Sequence, residues 1–220
     1  MGSFKVKNVL NELIGTFILV LLGAGSAVFS LLLGVGLVVP LVFGLVVIAL
    51  VAVGGGQYNP AVSLAFAIRE RISFLEFIFN VLAQIIGAIF AGLMIWLISG
   101  DQSNLGSNGF NTLISTHGDT NGALIAILVE MIITFIFVLI ILRVTTKPEQ
   151  KSIAPFVIGL SLFAFISFAF TITGGSLNPA RSFGPALIEG GDALKNVWVY
   201  FVGPLLGGLF AGLVDLFAKE

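Results

Sequence analysis

The sequence has no cysteine, a single histidine and few charges: only 10% of its 220 residues are Asp, Glu, Lys or Arg. Without cysteine there is no disulfide, no thiolate metal site and no thiol nucleophile. The one histidine, His117, sits in a loop and not in an apolar run, so no span carries an imidazole for metal or acid-base work. It reads as an ordinary surface side chain more readily than as a pH sensor. A net charge of -1 offers nothing for nucleic acid to bind. No enzyme activity, cofactor or metal is expected. In place of these the chain is 58% hydrophobic, with a mean hydropathy of +1.14. There are too few polar residues to cover a water-facing surface, so the chain belongs in a bilayer.

Apolar stretches of about 20 residues, enough to cross a ~30 Å hydrocarbon core as helix, fall near residues 9–31, 35–53, 73–98, 121–143, 153–172 and 195–217. The first follows Lys5 and Lys7 as a signal peptide would, but it lacks a small-residue cleavage site and five more runs follow, so it reads as a span. Residues 60–68 and 179–188 have a helical pattern but reach only about half of the core. Lys5, Lys7, Arg69, Arg71, Arg143, Lys147, Lys151 and Lys219 would share one side of the membrane, leaving Arg181 and Lys195 for the other. Basic residues collect on the cytoplasmic side, which puts both termini there.

The chain matches itself at offsets of 118 to 120 residues in three places. Glu12 and Glu130 each precede a Thr-Phe pair at the same spacing. Asn59-Pro60-Ala61 pairs with Asn178-Pro179-Ala180, and the stretch around Gly87 and Gly92 pairs with that around Gly207 and Gly212. The repeats cover approximately residues 9–98 and 121–217 of a single domain, 1–220. Each holds three spans, an odd number, so the second copy is inverted. Such repeats place functional sites at the midplane between them.

Asparagine is a favoured N-cap and proline a favoured first helical residue, so each Asn-Pro opens a helix. Gly54-Gly55-Gly56 and Gly174-Gly175 supply the turns before them. One such motif alone could be a plain turn. Two at matching positions put both short helices tip to tip at mid-membrane, their positive dipole ends facing. Irregular backbone at this depth must be buried in protein or line a watery cavity. The carbonyls of Gly55, Gly56, Gln57 and Tyr58, and of Gly174, Gly175, Ser176 and Leu177, are thus candidates for a pore-lining ladder. Glu12 and Glu130 are intramembrane carboxylates, either proton-relay groups or, as their symmetry favours, acceptors for N–H groups of the re-entrant turns.

With these motifs the sequence resembles the aquaporin, or major intrinsic protein, family over essentially its whole length. Phe43-Gly44-Leu45, Gln84 with Gly87, Arg181-Ser182 and Gly203-Pro204 add to the match. The resemblance implies an all-α membrane fold of six transmembrane helices plus two re-entrant half-helices, an inverted 3+3 repeat, assembled as a homotetramer with one pore per subunit. It further implies that Asn59 and Asn178 donate together to one passing water, and that protons and ions are excluded there.

The family's aromatic/arginine constriction maps onto Phe43, Ile166, Gly175 and Arg181, with Val39 in place of Phe43 if the alignment is ungapped. A snorkelling or ion-paired role is the plainer alternative for Arg181. Strict water channels usually have histidine where Ile166 stands, which points to a wider, less polar filter. Glycerol channels typically have Asp and Arg where this chain has Ser182 and Ala186, and Tyr200-Phe201 fits the water-channel pattern. The approach to the first motif, residues 53–57, is shorter than usual and lacks the usual histidine.

The expectation is a passive water channel of the plasma membrane, with glycerol, ammonia or hydrogen sulfide as further permeants. A glycerol facilitator is the first alternative. An ion-coupled transporter, which would need Glu12 or Glu130 for its ions, is the second.

Overall fold

The computed structural model describes residues 6–30, 35–110 and 119–218. His117, Lys5 and Lys219 lie outside the described residues. Six long apolar helices carry the fold: α1 (Val6–Phe29), α2 (Val35–Val53), α4 (Phe74–Ser99), α5 (Asp119–Val144), α6 (Ala154–Thr173) and α9 (Val199–Phe217). Between them lie the half-helices α3 (Pro60–Ile68) and α7 (Pro179–Glu189), and the short α8 (Gly191–Asn196).

The half-helices start where their sequence says they should. Asn59 and Asn178 are extended N-caps whose side-chain oxygens accept from Ala61 N and from Ala180 N and Arg181 N, and proline follows each. At the other end of α6, Gly174 takes the left-handed conformation (φ 78°) that stops the helix and turns the chain back into the membrane.

Packing follows the repeat. α1 lies along α4 as α5 lies along α9, and α2 meets α6 between the halves. The half-helices cross over: α3 of the first repeat packs on α9 of the second, while α7 packs on α4. Such contacts need small residues. A Cβ at Gly87 would collide with the Leu13 carbonyl, and one at Gly207 would come within 2.5 Å of the Met131 carbonyl oxygen. The outward faces carry Leu10, Leu22, Leu41, Phe90, Leu124 and Phe168, all exposed.

Helix ends differ from the hydropathy reading by a few residues. α1 begins at Val6, not near residue 9, because helical hydrogen bonding continues past the apolar run into Lys7 and Asn8; Asn8 then bonds Glu76 at 3.2 Å. The last span begins at Val199, since a tight turn at Val197 and Trp198 separates it from α8. Hydropathy reports where lipid begins, and hydrogen bonds decide where helix begins.

An ion cluster around one buried carboxylate ties the end of α3 to the bundle. Asp215, fully buried on α9, faces Arg69 Nε at 2.7 Å and Arg143 Nε at 2.8 Å. Beside it Arg71 donates to Thr145, Thr146 and the Leu142 carbonyl, closing the end of α5.

Candidate functional site

The two re-entrant turns are built alike. Tyr58 and Leu177, each directly before its asparagine, both have positive φ, 54° and 53°. A bulky residue holds such a conformation only where its surroundings fix it. Here the fixing groups are the two intramembrane carboxylates. Glu12 accepts from Gln57 N at 2.7 Å, Tyr58 N at 2.6 Å and Gln84 Nε2 at 2.7 Å. Glu130 accepts from Ser176 N and Leu177 N at 2.9 Å each, and from the Thr173 hydroxyl at 2.7 Å. The first residues after the turns are braced too: Ser63 donates to Gln57, and Ser182 pairs with Ser176 and donates to Asn108.

The turns then clasp one another. Asn59 Nδ2 donates to the Leu177 carbonyl and Asn178 Nδ2 to the Tyr58 carbonyl, both at 2.8 Å. Each carboxamide has a second N–H. No described group accepts it, and both asparagines line a cavity of about 420 Å³.

That cavity runs from Thr145 and Lys151, past Gly55, Gly56, Gln57 and Tyr58, to Asn59, Asn178 and Ser176, and on to Ile166, Phe43 and Arg181. The wall opposite the turns is apolar, with Leu19, Val47, Phe137, Ile141 and Leu162. Gly174, Gly175 and Leu177 do not line it. The Leu177 carbonyl is turned to Asn59, and Gly175 packs against Ile166, where a Cβ would sit 3.0 Å from the Ile166 Cα.

Phe43 meets Arg181: the guanidinium carbon lies 5.1 Å from the ring centroid, within cation–π range. Val39, the alternative for this position, is buried in the core and off the cavity. Arg181 is only 3% exposed and donates from Nη1 to the Gly106 carbonyl at 3.0 Å. Its Nε is buried without a partner, and among the described residues it makes no ion pair. Arg181 lines the cavity, so its charge is presented to whatever occupies that level.

Three contributors escape a reading by motif. Gly106 and Asn108 come from the loop after α4, which folds inward and is tied to α7 by Leu105 N to Glu189 and by Gln102 to the Ile188 carbonyl. Asp215 is the third, and an acid inside a span is the signal that could have found it.

A cavity within a bundle of six apolar helices, lined at the tips of two facing half-helices, defines a membrane channel. The profile of the Major intrinsic protein family matches residues 2–215, and the chain belongs to that family. It is 38% identical to Glycerol uptake facilitator protein-like 6 of Lactiplantibacillus plantarum, over 94% of this chain and 95% of that protein. It is 35% identical to Aquaporin Z of Photorhabdus laumondii, over 95% and 96%. The aquaglyceroporin of Plasmodium falciparum shares its fold, with a TM-score of 0.79 at 24% identity over 94% of both chains. The protein is therefore an integral, multi-pass membrane protein, and its relatives are channels and facilitators.

Proposed function

We propose that the protein is a passive channel that conducts water and small neutral solutes and excludes protons and ions. The observation that carries this is the pair of Asn59 and Asn178 carboxamides. Each is fixed by one N–H to the opposite turn, and each has a second N–H left for the cavity. A water between them accepts two hydrogen bonds, so its oxygen cannot accept from its neighbours in the file. The proton wire breaks there. The N-termini of α3 and α7 meet at the same point, and their partial positive charge opposes hydronium and cations. The carbonyls of Gly55, Gly56 and Gln57 guide water on one side, with the apolar wall keeping it in single file.

Phe43, Ile166 and Arg181 form the filter in this reading, with Gly175 packed behind Ile166. Arg181 supplies the donor, and Ile166 supplies a wall that makes no hydrogen bond. Such a filter admits a neutral molecule with one polar edge, so glycerol, ammonia and hydrogen sulfide are permeants alongside water. A glycerol facilitator is the second reading, favoured by the alkyl side chain at Ile166 and by the facilitator named above. Ion-coupled transport is disfavoured because Glu12 and Glu130 are each occupied by three donors, leaving neither free to hold a transported ion.

No enzymatic step is assigned. The whole chain, 1–220, acts as one channel domain, a homotetramer in the plasma membrane with both termini in the cytoplasm; the basic residues near Lys151 support that orientation. The test is osmotic shrinkage of vesicles containing the purified protein, run with water, glycerol and ammonia in one preparation. Fast, unsaturable flux that ignores an ion gradient is expected. Saturable uptake that collapses with the gradient would defeat the proposal.

A further inference from the structure

We infer that the Tyr58 hydroxyl is a positioning group for conduction, latching the shortened first turn to α1 and through it setting the Asn178 carboxamide. This rests on the channel reading above.

Tyr58 and Leu177 hold the same place in the two repeats. Each has the same backbone, with its N–H on a buried carboxylate and its carbonyl on the opposite asparagine. They differ in the side chain. The Tyr58 ring is buried between α1 and the turn, where only glycine can face it: a Cβ at Gly15 or at Gly56 would run into it. Its hydroxyl accepts from Gly56 N at 3.1 Å and from Asn11 Nδ2 at 3.2 Å. Its own proton has two acceptors in reach, the Leu50 carbonyl and Asn11 Oδ1, each at 3.4 Å. Asn11 also donates to the Gly54 carbonyl at 3.2 Å.

The turn needs this latch because Gly54, Gly55 and Gly56 are three consecutive glycines with little conformational preference of their own. In the second repeat the matching turn is anchored from outside, by Tyr200, whose hydroxyl donates to the Thr173 carbonyl at 2.9 Å. A phenol thus holds both turns, one from within and one from α9. The Gly55 and Gly56 backbone lines the cavity, and the Tyr58 carbonyl holds Asn178. A loosened turn therefore widens the spread of both groups that water meets.

The variants are Tyr58→Phe, which keeps the ring and removes the hydroxyl, Asn11→Leu, and the pair together. Osmotic flux per folded channel is measured in vesicles, and amide hydrogen exchange is followed for residues 54–58 and 174–178. Tyr58→Phe is expected to lower water permeability about three- to tenfold, the scale of one or two hydrogen bonds. The double variant should fall no further than the lower single one, and exchange should quicken in both turns. Unchanged flux per channel with unchanged exchange overturns the inference, even if thermal stability drops. Exchange that quickens only in residues 54–58, with flux intact, also overturns it, since Tyr58 would then be merely structural. If the unsubstituted protein moves water no faster than lipid alone, the channel reading fails, and the exchange at residues 174–178 still decides the latch.

Discussion

Arg181 turns one nitrogen to the Gly106 carbonyl, stacks on Phe43, and leaves Nε unpartnered. Replacing it with valine removes its charge from that level of the cavity, so Arg181→Val should raise glycerol and ion leakage; vesicle fluxes with each solute check this. Ile166→His adds a polar wall opposite the guanidinium, and the water-to-glycerol permeability ratio should rise. Behind the turns, Glu130→Gln replaces one acceptor oxygen with a donor, setting N–H against N–H or O–H. An unmatched buried donor costs about 1–3 kcal/mol, so the melting temperature should fall and flux with it. The asparagines and the two glutamates are readable in the sequence because a polar residue in an apolar run stands out and the repeat shows it twice. Gly106 is not, because it acts through a backbone carbonyl in a loop with no second copy.

Helix contacts rest on glycines that leave no room. Gly207→Val should abolish folded protein, since its first side-chain carbon already meets the Met131 carbonyl at 2.5 Å and overpacking costs about 1–3 kcal/mol or more. Gly109→Ala is the control: no described residue lies within 4 Å of the added carbon, and the detergent-solubilised yield should be unchanged. Asp215 acts at this scale as well, joining α9 to the end of α3 and to α5. Asp215→Asn leaves Arg69, whose side chain is 10% exposed, without its carboxylate. Breaking such a pair costs about 3–5 kcal/mol, read as a lower thermal midpoint. Its position at the repeat offset is Ile95, so the comparison of halves that exposes the glutamates passes over it. The number and order of the helices are legible from apolar run length. Their ends are not, since polar Lys7 and Asn8 continue α1, and the break before α9 has no proline or glycine to mark it.

For the molecule as a whole, the outward apolar side chains must face lipid or other subunits. The proposed tetramer predicts a particle near four times the 23.2 kDa chain mass after detergent is subtracted. Mass photometry or light scattering checks this, and a monodisperse monomer that still conducts would count against it. Because the half-helices are exchanged between repeats, neither half holds both sides of the constriction.

The reciprocal bonds, Asn59 to Leu177 and Asn178 to Tyr58, have a further meaning. Residue i of one half contacts residue j of the other, and j contacts i in return, which is the form of an isologous twofold dimer. The channel is in that sense a homodimer written into one chain. A half-length ancestor bearing one Asn-Pro-Ala, inserted in both orientations, would already have closed this centre against itself. In this chain the two copies differ at that place, Leu177 on one side and Tyr58 on the other.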